Sequence, residues 1–230
     1  MPARRDSHTP AGTPDEGTEP LVMIFTQGIL VNLQGQRFID EAPGSIDAHY
    51  EDITRTIRKQ TKGMAWCILD AGVDEIDNWQ RCIRTDQPPV EAATLDALAE
   101  AIDLPARALC ATVEAYNDAC GSGNFDPHSI DGLTTTGIEP PKSNWARPIQ
   151  RPPFKAYPII SSNTFTFGGL KVTPDAQVVN ASGEAIPGLY AAGETIGIYY
   201  GRYPGATSVL RGAVFGRLAG MHAGRANASA

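Results

Sequence analysis

The sequence predicts an α+β fold, because helix-like and strand-like segments are grouped along the chain instead of alternating regularly. Helix-period stretches fill the middle of the chain, and short apolar runs rich in β-branched residues precede them. The last third alternates strand-like runs with turn residues before one final helix-like stretch. The 230 residues, 42% of them hydrophobic, are enough to bury a core in one large domain or two modest ones.

The amino-terminal part predicts a leader followed by strands. Residues 1–20 are polar and rich in Pro, Gly and Thr, which predicts a flexible leader that buries too little surface to become ordered. Residues 21–32 read LVMIFTQGILVN, an apolar run broken by Gly28, and the turn LQGQ and the segment RFIDE follow. This pattern predicts two strand-like pieces around a glycine bend, in a hairpin or a strand corner.

An amphipathic helix is predicted over residues 45–61, where four apolar residues recur at spacings of 4, 3 and 4. They are Ile46, Tyr50, Ile53 and Ile57. The run MAWCILD, residues 64–70, is short and apolar and predicts a buried strand. The segment DEIDNWQRCIR, residues 74–84, is predicted to be helical, and Pro88 and Pro89 prevent its continuation.

A helix pair is predicted over residues 94–120. Thr94 is a suitable N-cap for LDALAEAI, and Pro105 opens the second helix, ARALCATVEAYNDAC. The glycines of GSGNFD end it. Residues 121–153 contain six prolines, which predicts a long irregular connection of the kind that joins domains or lines a ligand cleft.

The last third holds the candidate chemistry. The run LYAAG leads directly into Glu194, so that Gly193 and a carboxylate stand at the carboxyl end of a predicted strand, where open α/β sheets bind ligands. Such a carboxylate accepts hydrogen bonds from ribityl or ribose hydroxyls without a charged partner. An ordinary glycine turn with a solvated Glu194 explains this motif equally well.

A helix is predicted to start after the bend GIYYGRYPG. The amides of Gly205, Ala206, Thr207 and Ser208 are then unpaired donors that favour a partial negative charge, such as the N1 and C2 carbonyl edge of a reduced flavin. A buried helix start that binds no ligand is the alternative. The small residues of GAVFGRLAG predict a close-packing face of this helix rather than a cofactor contact.

Charge and hydropathy restrict the expected partners. The net charge is −7 and the 19 Lys and Arg are scattered, so no nucleic-acid surface is predicted. No apolar run approaches the roughly 20 residues of a membrane span, and the start lacks the apolar core of a secretory signal, which predicts a cytoplasmic protein. The four cysteines have neither a CxxC pair nor a neighbouring histidine, so no metal site is predicted.

An ordered set of motifs resembles the flavoprotein family of fumarate reductase and succinate dehydrogenase flavoprotein subunits. The set comprises GILVNLQGQRFIDE, LDALAEAIDLPARALCATVEAYNDAC, GGLKV, IPGLYAAGE, YPGAT and AVFGRLAG, and it spans residues 27–220. Within this family, the YPG variant is most similar to 3-ketosteroid dehydrogenases and tricarballylate dehydrogenase. The resemblance implies FAD as cofactor and a small-molecule substrate that gains or loses hydrogen across a carbon–carbon bond next to a carbonyl or carboxylate.

The resemblance also implies a domain organisation. Residues 21–32 correspond to a strand of the FAD domain, residues 33–152 to a capping or substrate domain, and residues 153–224 to the carboxyl-terminal part of a Rossmann-like FAD-binding domain, before a tail at 225–230. The strand, GxGxxG turn and helix of the family's first half have no counterpart in the sequence. The resemblance therefore implies that a partner chain or a longer protein supplies this half, and that the chain alone binds FAD poorly.

Site residues also follow from the resemblance. Tyr203, in the Tyr-Pro-Gly stretch, is implied to polarise a substrate carbonyl, with the Gly205 amide as a second donor and Arg202 as a carboxylate ligand. The residues implied to bind the cofactor are Gly168, Gly169, Gly193, Glu194, Ala206, Thr207, Ser208 and Val209. Phe165 stands where the fumarate reductases have a substrate-binding histidine, and Asp74 where an arginine delivers the proton. Dicarboxylate reduction by that mechanism is therefore not expected.

The sequence leaves two functions to be weighed. The first is an FAD-dependent dehydrogenase or reductase, in which a hydride moves between the substrate and flavin N5. The second is a non-catalytic binding or scaffold module derived from such a flavoprotein, which the missing GxGxxG half favours.

Overall fold

The structure is a computed structural model, and it describes residues 21–85, 87–162, 166–201, 203, 205 and 207–228. Its helices are α1 (Ile46–Arg58), α2 (Leu95–Ala101), α3 (Ala106–Ala119) and α4 (Thr207–Ala228). Its strands are β1 (Leu21–Val22), β2 (Ile29–Val31), β3 (Met64–Leu69), β4 (Ile83–Arg84), β5 (Val90–Ala92), β6 (Phe154–Ile160), β7 (Gln177–Val179) and β8 (Ala185–Tyr190). Helices and antiparallel sheets together confirm the predicted α+β class. The predicted leader lies outside the described residues.

The chain divides into two compact units, and the first ends at Ser162. This boundary differs from the one expected between residues 152 and 153, because β6 hydrogen-bonds to both β3 and β5 and so belongs to the sheet of the first unit. The strand pieces within residues 21–32 belong to the first unit as well, since β1 pairs with β4 and β2 pairs with β3. The second unit holds the described residues from 166 onward.

The first unit has three layers around an antiparallel sheet of strand order β2-β3-β6-β5. One face packs on α2 and α3, where Trp66 of β3 shares a core with Leu98 and Leu109. The other face packs on α1, where Cys67 of β3 shares a core with Ile53. Because both faces are covered, β3 is buried at every position, which explains the continuous apolar run MAWCILD.

Several predictions for the first unit are confirmed. The helices predicted over residues 45–61 and 94–120 and the strand predicted over residues 64–70 are present. Thr94 caps α2, since its Oγ1 accepts a hydrogen bond from Ala97 N at 3.2 Å. The long segment between α3 and β6 contains no further helix or strand among its residues, as expected.

The predicted hairpin begins at the end of β2. Val31 pairs with Arg37, and Asn32 N donates to Gln36 O at 2.9 Å across the turn LQGQ. Gly35 has a φ of +74°, a left-handed conformation that glycine adopts at low cost. The turn residue therefore has the role that the sequence predicts for it.

The prediction of a helix over residues 74–84 is wrong. The segment forms two short 3-10 turns and β4. Asn78 interrupts any continuous helix, because its φ of +60° is left-handed. The buried residues Val73, Ile76 and Trp79 recur every three positions, which suits 3-10 turns better than the 3.6-residue period of an α-helix.

Lys142 connects the irregular segment to the region before β2. It is fully buried, and its Nζ donates to the carbonyl oxygens of Thr26 and Gly28, each at 2.7 Å. Burial disfavours the charged ammonium and lowers the pKa of Lys142 to about 8, although the nearby Glu41 carboxylate acts in the opposite direction.

We expect Lys142 to make the stability of the first unit depend on pH. The pKa of a lysine in the unfolded chain is near 10.5. Between pH 8 and pH 10.5 the unfolded chain therefore binds more protons than the folded chain, so the free energy of unfolding rises with pH. The expected contribution is a gain of about 1 kcal/mol in the free energy of unfolding between pH 7 and pH 9. Urea unfolding measures this gain as the difference between wild type and Lys142→Met. Tryptophan fluorescence follows the unfolding, because all three tryptophans lie in the first unit. The exposed-site variant Lys62→Met is the control, and parallel pH profiles for wild type and Lys142→Met would contradict the expectation.

The second unit consists of the antiparallel pair β7–β8, the long helix α4 and the segments that join them. Leu170 N donates to Thr195 O at 2.8 Å, and Gly197 N donates to Leu170 O at 3.0 Å, which places these two segments side by side. The strands and the final helix predicted for this region are therefore present. None of the helices in the described part of the chain is long and apolar enough to cross a membrane.

Candidate functional site

Glu194 lies in a 3-10 turn, Gly193–Thr195, shortly after β8. Its Oε1 accepts a hydrogen bond from Thr166 N at 2.6 Å, and its Oε2 forms an ion pair with Arg211. Glu194 therefore has a charged partner within the second unit. Each carboxylate oxygen has further lone pairs, and the side chain is 40% exposed, so a ligand hydroxyl has access to it.

Arg211, on α4, is the residue of this site that the sequence analysis does not identify. Its side chain is 2% exposed, its Nη1 donates to Ile196 O at 3.2 Å, and its guanidinium lies 4.4 Å from the centroid of the Tyr199 ring. Its Nε is buried and has no hydrogen-bond partner among the described residues. The sequence does contain a signal, because Arg211 is the single charged residue in the stretch YPGATSVLRGAVFG.

The predicted cofactor glycines have different surroundings. An added Cβ at Gly169 would lie 2.5 Å from Thr195 O, so the packing of the second unit itself requires glycine there. Gly168 and Gly193 have φ values of +83° and +69°, and an added Cβ at either would meet nothing within 4 Å. These two glycines therefore leave open space beside the backbone.

The start of α4 is partly satisfied by a side chain. Ser208 N donates to Tyr203 Oη at 3.1 Å, and Tyr203 Oη donates to Ser208 Oγ at 2.9 Å. The amide of Ser208 is therefore not an unpaired donor, contrary to the expectation from the sequence. Thr207 Oγ1 is buried and has no hydrogen-bond partner among the described residues, and Gly205 is half-buried.

Exposed apolar side chains are concentrated in the second unit. Of the ten exposed large hydrophobic side chains in the described part of the chain, nine follow residue 166. Val209, at the start of α4, is 80% exposed, and Tyr200 is 97% exposed. Apolar surface on this scale is typical of a face that a ligand or a partner covers.

Individual residues of the second unit have the chemistry that the ring and the ribityl chain of a flavin require. Glu194 offers an accessible carboxylate that accepts hydrogen bonds from hydroxyl groups. Val209 and Tyr200 offer apolar surface to a planar ring, and Gly168 and Gly193 allow a ligand to approach the backbone closely. The residues present therefore suit the isoalloxazine and ribityl parts of FAD.

The other predicted positions lie elsewhere. Arg202, Ala206 and Phe165 are outside the described residues. Asp74 lies in the first unit, where both of its carboxylate oxygens are 2.8 Å from Lys155 Nζ. The position that corresponds to the proton-delivering arginine thus holds a carboxylate paired with a lysine.

Comparison with known proteins identifies the family. The profile of the family described as FAD binding domain matches residues 4–210, which is most of the chain. The NADH:acrylate oxidoreductase of Vibrio harveyi is 33% identical over 223 residues, which cover 93% of this chain and 20% of that protein. The urocanate reductase of Eggerthella lenta is 30% identical over 210 residues, which cover 87% of this chain and 32% of that protein.

A solved structure agrees with these matches. The 3-ketosteroid-delta4-(5alpha)-dehydrogenase from Rhodococcus jostii RHA1, in complex with 4-androstene-3,17-dione, is 32% identical and superposes with a TM-score of 0.58, covering 87% of this chain and 39% of that one. The chain therefore spans about a fifth to two fifths of the length of these relatives. The matches confirm the resemblance seen in the motifs and indicate FAD as the cofactor. The chain belongs to the FAD binding domain family of flavoprotein oxidoreductases.

Proposed function

We propose that the chain carries two parts of an FAD-dependent oxidoreductase, a capping or substrate unit and the carboxyl-terminal part of a Rossmann-like FAD-binding domain. The first compact unit takes the former role and the second unit the latter. The observation that carries the proposal is Glu194, a partly exposed carboxylate fixed after β8, in a chain of the FAD binding domain family. When bound, FAD supplies the chemistry by exchanging a hydride with the substrate.

The proposed cofactor contacts are those of the second unit. Glu194 accepts hydrogen bonds from the ribityl hydroxyls, and Gly168 and Gly193 let the flavin approach the backbone. The residues that border the ring at the start of α4 are Ala206, Thr207 and Val209. Gly169 and Ser208 act indirectly, the former through packing and the latter through Tyr203.

Tyr203 is proposed to polarise the substrate carbonyl. Its proton is shared with Ser208 Oγ, and rotation of the Ser208 hydroxyl reverses that hydrogen bond. The amide and the hydroxyl of Ser208 then both donate to the phenol oxygen, which leaves the phenol proton for a substrate oxygen. The Gly205 amide is the proposed second donor to that oxygen, and Arg202 the proposed ligand of a substrate carboxylate.

The proposed substrate class has a carbon–carbon bond next to a carbonyl. Asp74 places a carboxylate, engaged by Lys155, at the position of the family's arginine, and this loss of the arginine favours carbonyl polarisation over dicarboxylate reduction. The Rhodococcus jostii relative was solved with a 3-ketosteroid, which contains this chemistry. A 3-ketosteroid is therefore the first substrate class to test.

The exposed face of α4 is proposed to receive the dinucleotide-binding half, supplied by a partner chain or by a longer protein. This face includes Leu210, Val214, Gly216, Arg217, Gly220 and Met221. Because α4 contains no acidic residue, a second copy of the same face has no counter-charge for Arg217. A partner helix with small and acidic residues complements both the glycines and the arginine.

Flavin titration tests the proposal. If the chain holds the ring and the ribityl chain but not the adenosine part, riboflavin and FAD bind with affinities within about threefold of each other. Fluorescence anisotropy of each flavin, titrated with the full chain, measures both affinities. Glu194→Gln is expected to weaken both by about tenfold, through loss of charge-assisted hydrogen bonds. The exposed Glu184→Gln is the matched control and leaves both unchanged.

Two results would contradict the proposal. Binding of neither flavin, up to the solubility limit of riboflavin, would favour the non-catalytic module. A preference for FAD over riboflavin of about 100-fold or more would show that the adenosine part is bound by this chain too, against the proposed division of the site.

A further inference from the structure

The two side chains of the Arg211–Glu194 ion pair differ in burial. The Arg211 side chain is 2% exposed, whereas that of Glu194 is 40% exposed. A buried guanidinium without its counter-charge is costly, so Arg211 keeps the Glu194 carboxylate against the helix. The opposite side of the same carboxylate stays accessible.

The other contacts of Arg211 fix its direction. Nη1 donates to the carbonyl of Ile196, a fully buried residue in the segment that runs beside Leu170. The guanidinium also lies over the Tyr199 ring. Arg211 is therefore anchored in the interior of the second unit, and this anchoring allows it to hold Glu194 in one orientation.

Both carboxylate oxygens have a fixed donor from the protein. Thr166 N donates to Oε1 and Arg211 to Oε2, so each carboxylate oxygen already accepts one hydrogen bond from the protein. The lone pairs that remain accept donors such as hydroxyl groups and repel carbonyl or phosphate oxygens. The chemistry of the pair thus selects a ligand with hydroxyl groups at this position.

We propose that Arg211 is a positioning residue that orients Glu194 toward the hydroxyl groups of the flavin side chain. This inference rests on the proposed function, because it requires that Glu194 face the ribityl chain. Arg211 then contributes to recognition of the ribityl chain of the flavin and not to recognition of its ring.

Two flavins separate these roles. Riboflavin carries the ribityl chain, and lumiflavin has the same ring with a methyl group in its place. Arg211→Met is expected to weaken riboflavin binding by about tenfold and to leave lumiflavin binding within about twofold of wild type. Arg211→Lys, which keeps the charge, is expected to bind riboflavin more tightly than Arg211→Met does. Arg225→Met, at an exposed position of the same helix, leaves both affinities unchanged.

A double-mutant cycle tests whether Arg211 acts through Glu194. The variant with both Arg211→Met and Glu194→Gln is expected to bind riboflavin as Glu194→Gln does, within about twofold. Circular dichroism of each variant reports whether the fold is kept. If Arg211→Met does not fold, Arg211→Gln, which removes the charge but stays polar, replaces it in the cycle and in the comparison of the two flavins.

The outcomes distinguish this inference from the proposed function. If wild type binds neither flavin, the proposed function fails and the inference with it. If wild type binds riboflavin, the inference alone is overturned by unchanged riboflavin affinity in a folded Arg211→Met or Arg211→Gln variant, by equal losses for riboflavin and lumiflavin, or by additive losses in the double variant.

Discussion

Tyr203→Phe is expected to slow hydride transfer in the flavin-loaded protein by about 10²-fold, because removal of one preorganised donor to a developing oxyanion costs about that factor. Flavin affinity is expected to stay unchanged, since the phenol faces the substrate in the proposed site. Anaerobic stopped-flow absorbance, which follows reduction of the bound flavin by a 3-ketosteroid, measures the rate directly.

The same hydroxyl has a structural role that the experiment must separate. It accepts the hydrogen bond of Ser208 N, so its loss weakens the start of α4 by about 1 kcal/mol, as the loss of a helix cap does. A thermal melt of Tyr203→Phe reports this loss independently of the rate. Tyr190→Phe, at the end of β8, is the matched control and keeps the wild-type rate. An unchanged rate in Tyr203→Phe would remove this residue from the catalytic groups.

Glu41→Ala is expected to lower the free energy of unfolding of the first unit by about 3–5 kcal/mol. The Glu41 side chain is fully buried, its Oε2 lies 2.7 Å from Arg37 Nη2, and its Oε1 accepts a hydrogen bond from Leu30 N at 2.8 Å. The Arg37 side chain is 4% exposed. Removal of the carboxylate therefore leaves a buried cation and a buried amide without this acceptor.

A second ion pair provides the control for Glu41→Ala. Glu51 and Arg55 have the same spacing of four residues, but they pair on the exposed side of α1. Glu51→Ala is expected to change the free energy of unfolding by no more than about 0.5 kcal/mol. Urea unfolding monitored by tryptophan fluorescence compares the two variants. A loss below about 1 kcal/mol in Glu41→Ala would show that the buried pair contributes little net stability.

Local patterns predict the elements of the first unit well. The helix α1 follows from apolar spacings alone, and the cap of α2 follows from Thr94. The prediction for residues 74–84 fails because the spacing of the apolar residues is compatible with both an α-helix and 3-10 turns. Only the left-handed backbone of Asn78 decides between the two. Backbone conformation at a single asparagine is not visible in the periodicity of the sequence.

The boundary between the units depends on pairing at long range. β6 belongs to the first unit because Tyr157 pairs with Cys67, a residue far away in the sequence. No local motif specifies which strand is the neighbour of β6 in the sheet. The compact units therefore divide after β6, later than the boundary that the sequence resemblance implies.

In the candidate site, too, local sequence predicts single residues but not the contacts between distant ones. Glu194 is predicted because its signal, a carboxylate after an apolar run and a glycine, is contained in a few neighbouring residues. Its ion pair with Arg211 joins residues on different elements, and the Tyr203–Ser208 hydrogen bonds depend on how the chain enters α4. These contacts decide which donors and acceptors are available, and they arise only from tertiary structure.

Backbone amide chemical shifts of the full chain, titrated with riboflavin, test most directly whether the second unit holds the flavin. The largest changes are expected at Gly168, Gly193, Glu194, Thr207 and Val209, with little change in the first unit. Changes concentrated in the first unit, or none anywhere at saturating riboflavin, would contradict the proposed location of the flavin.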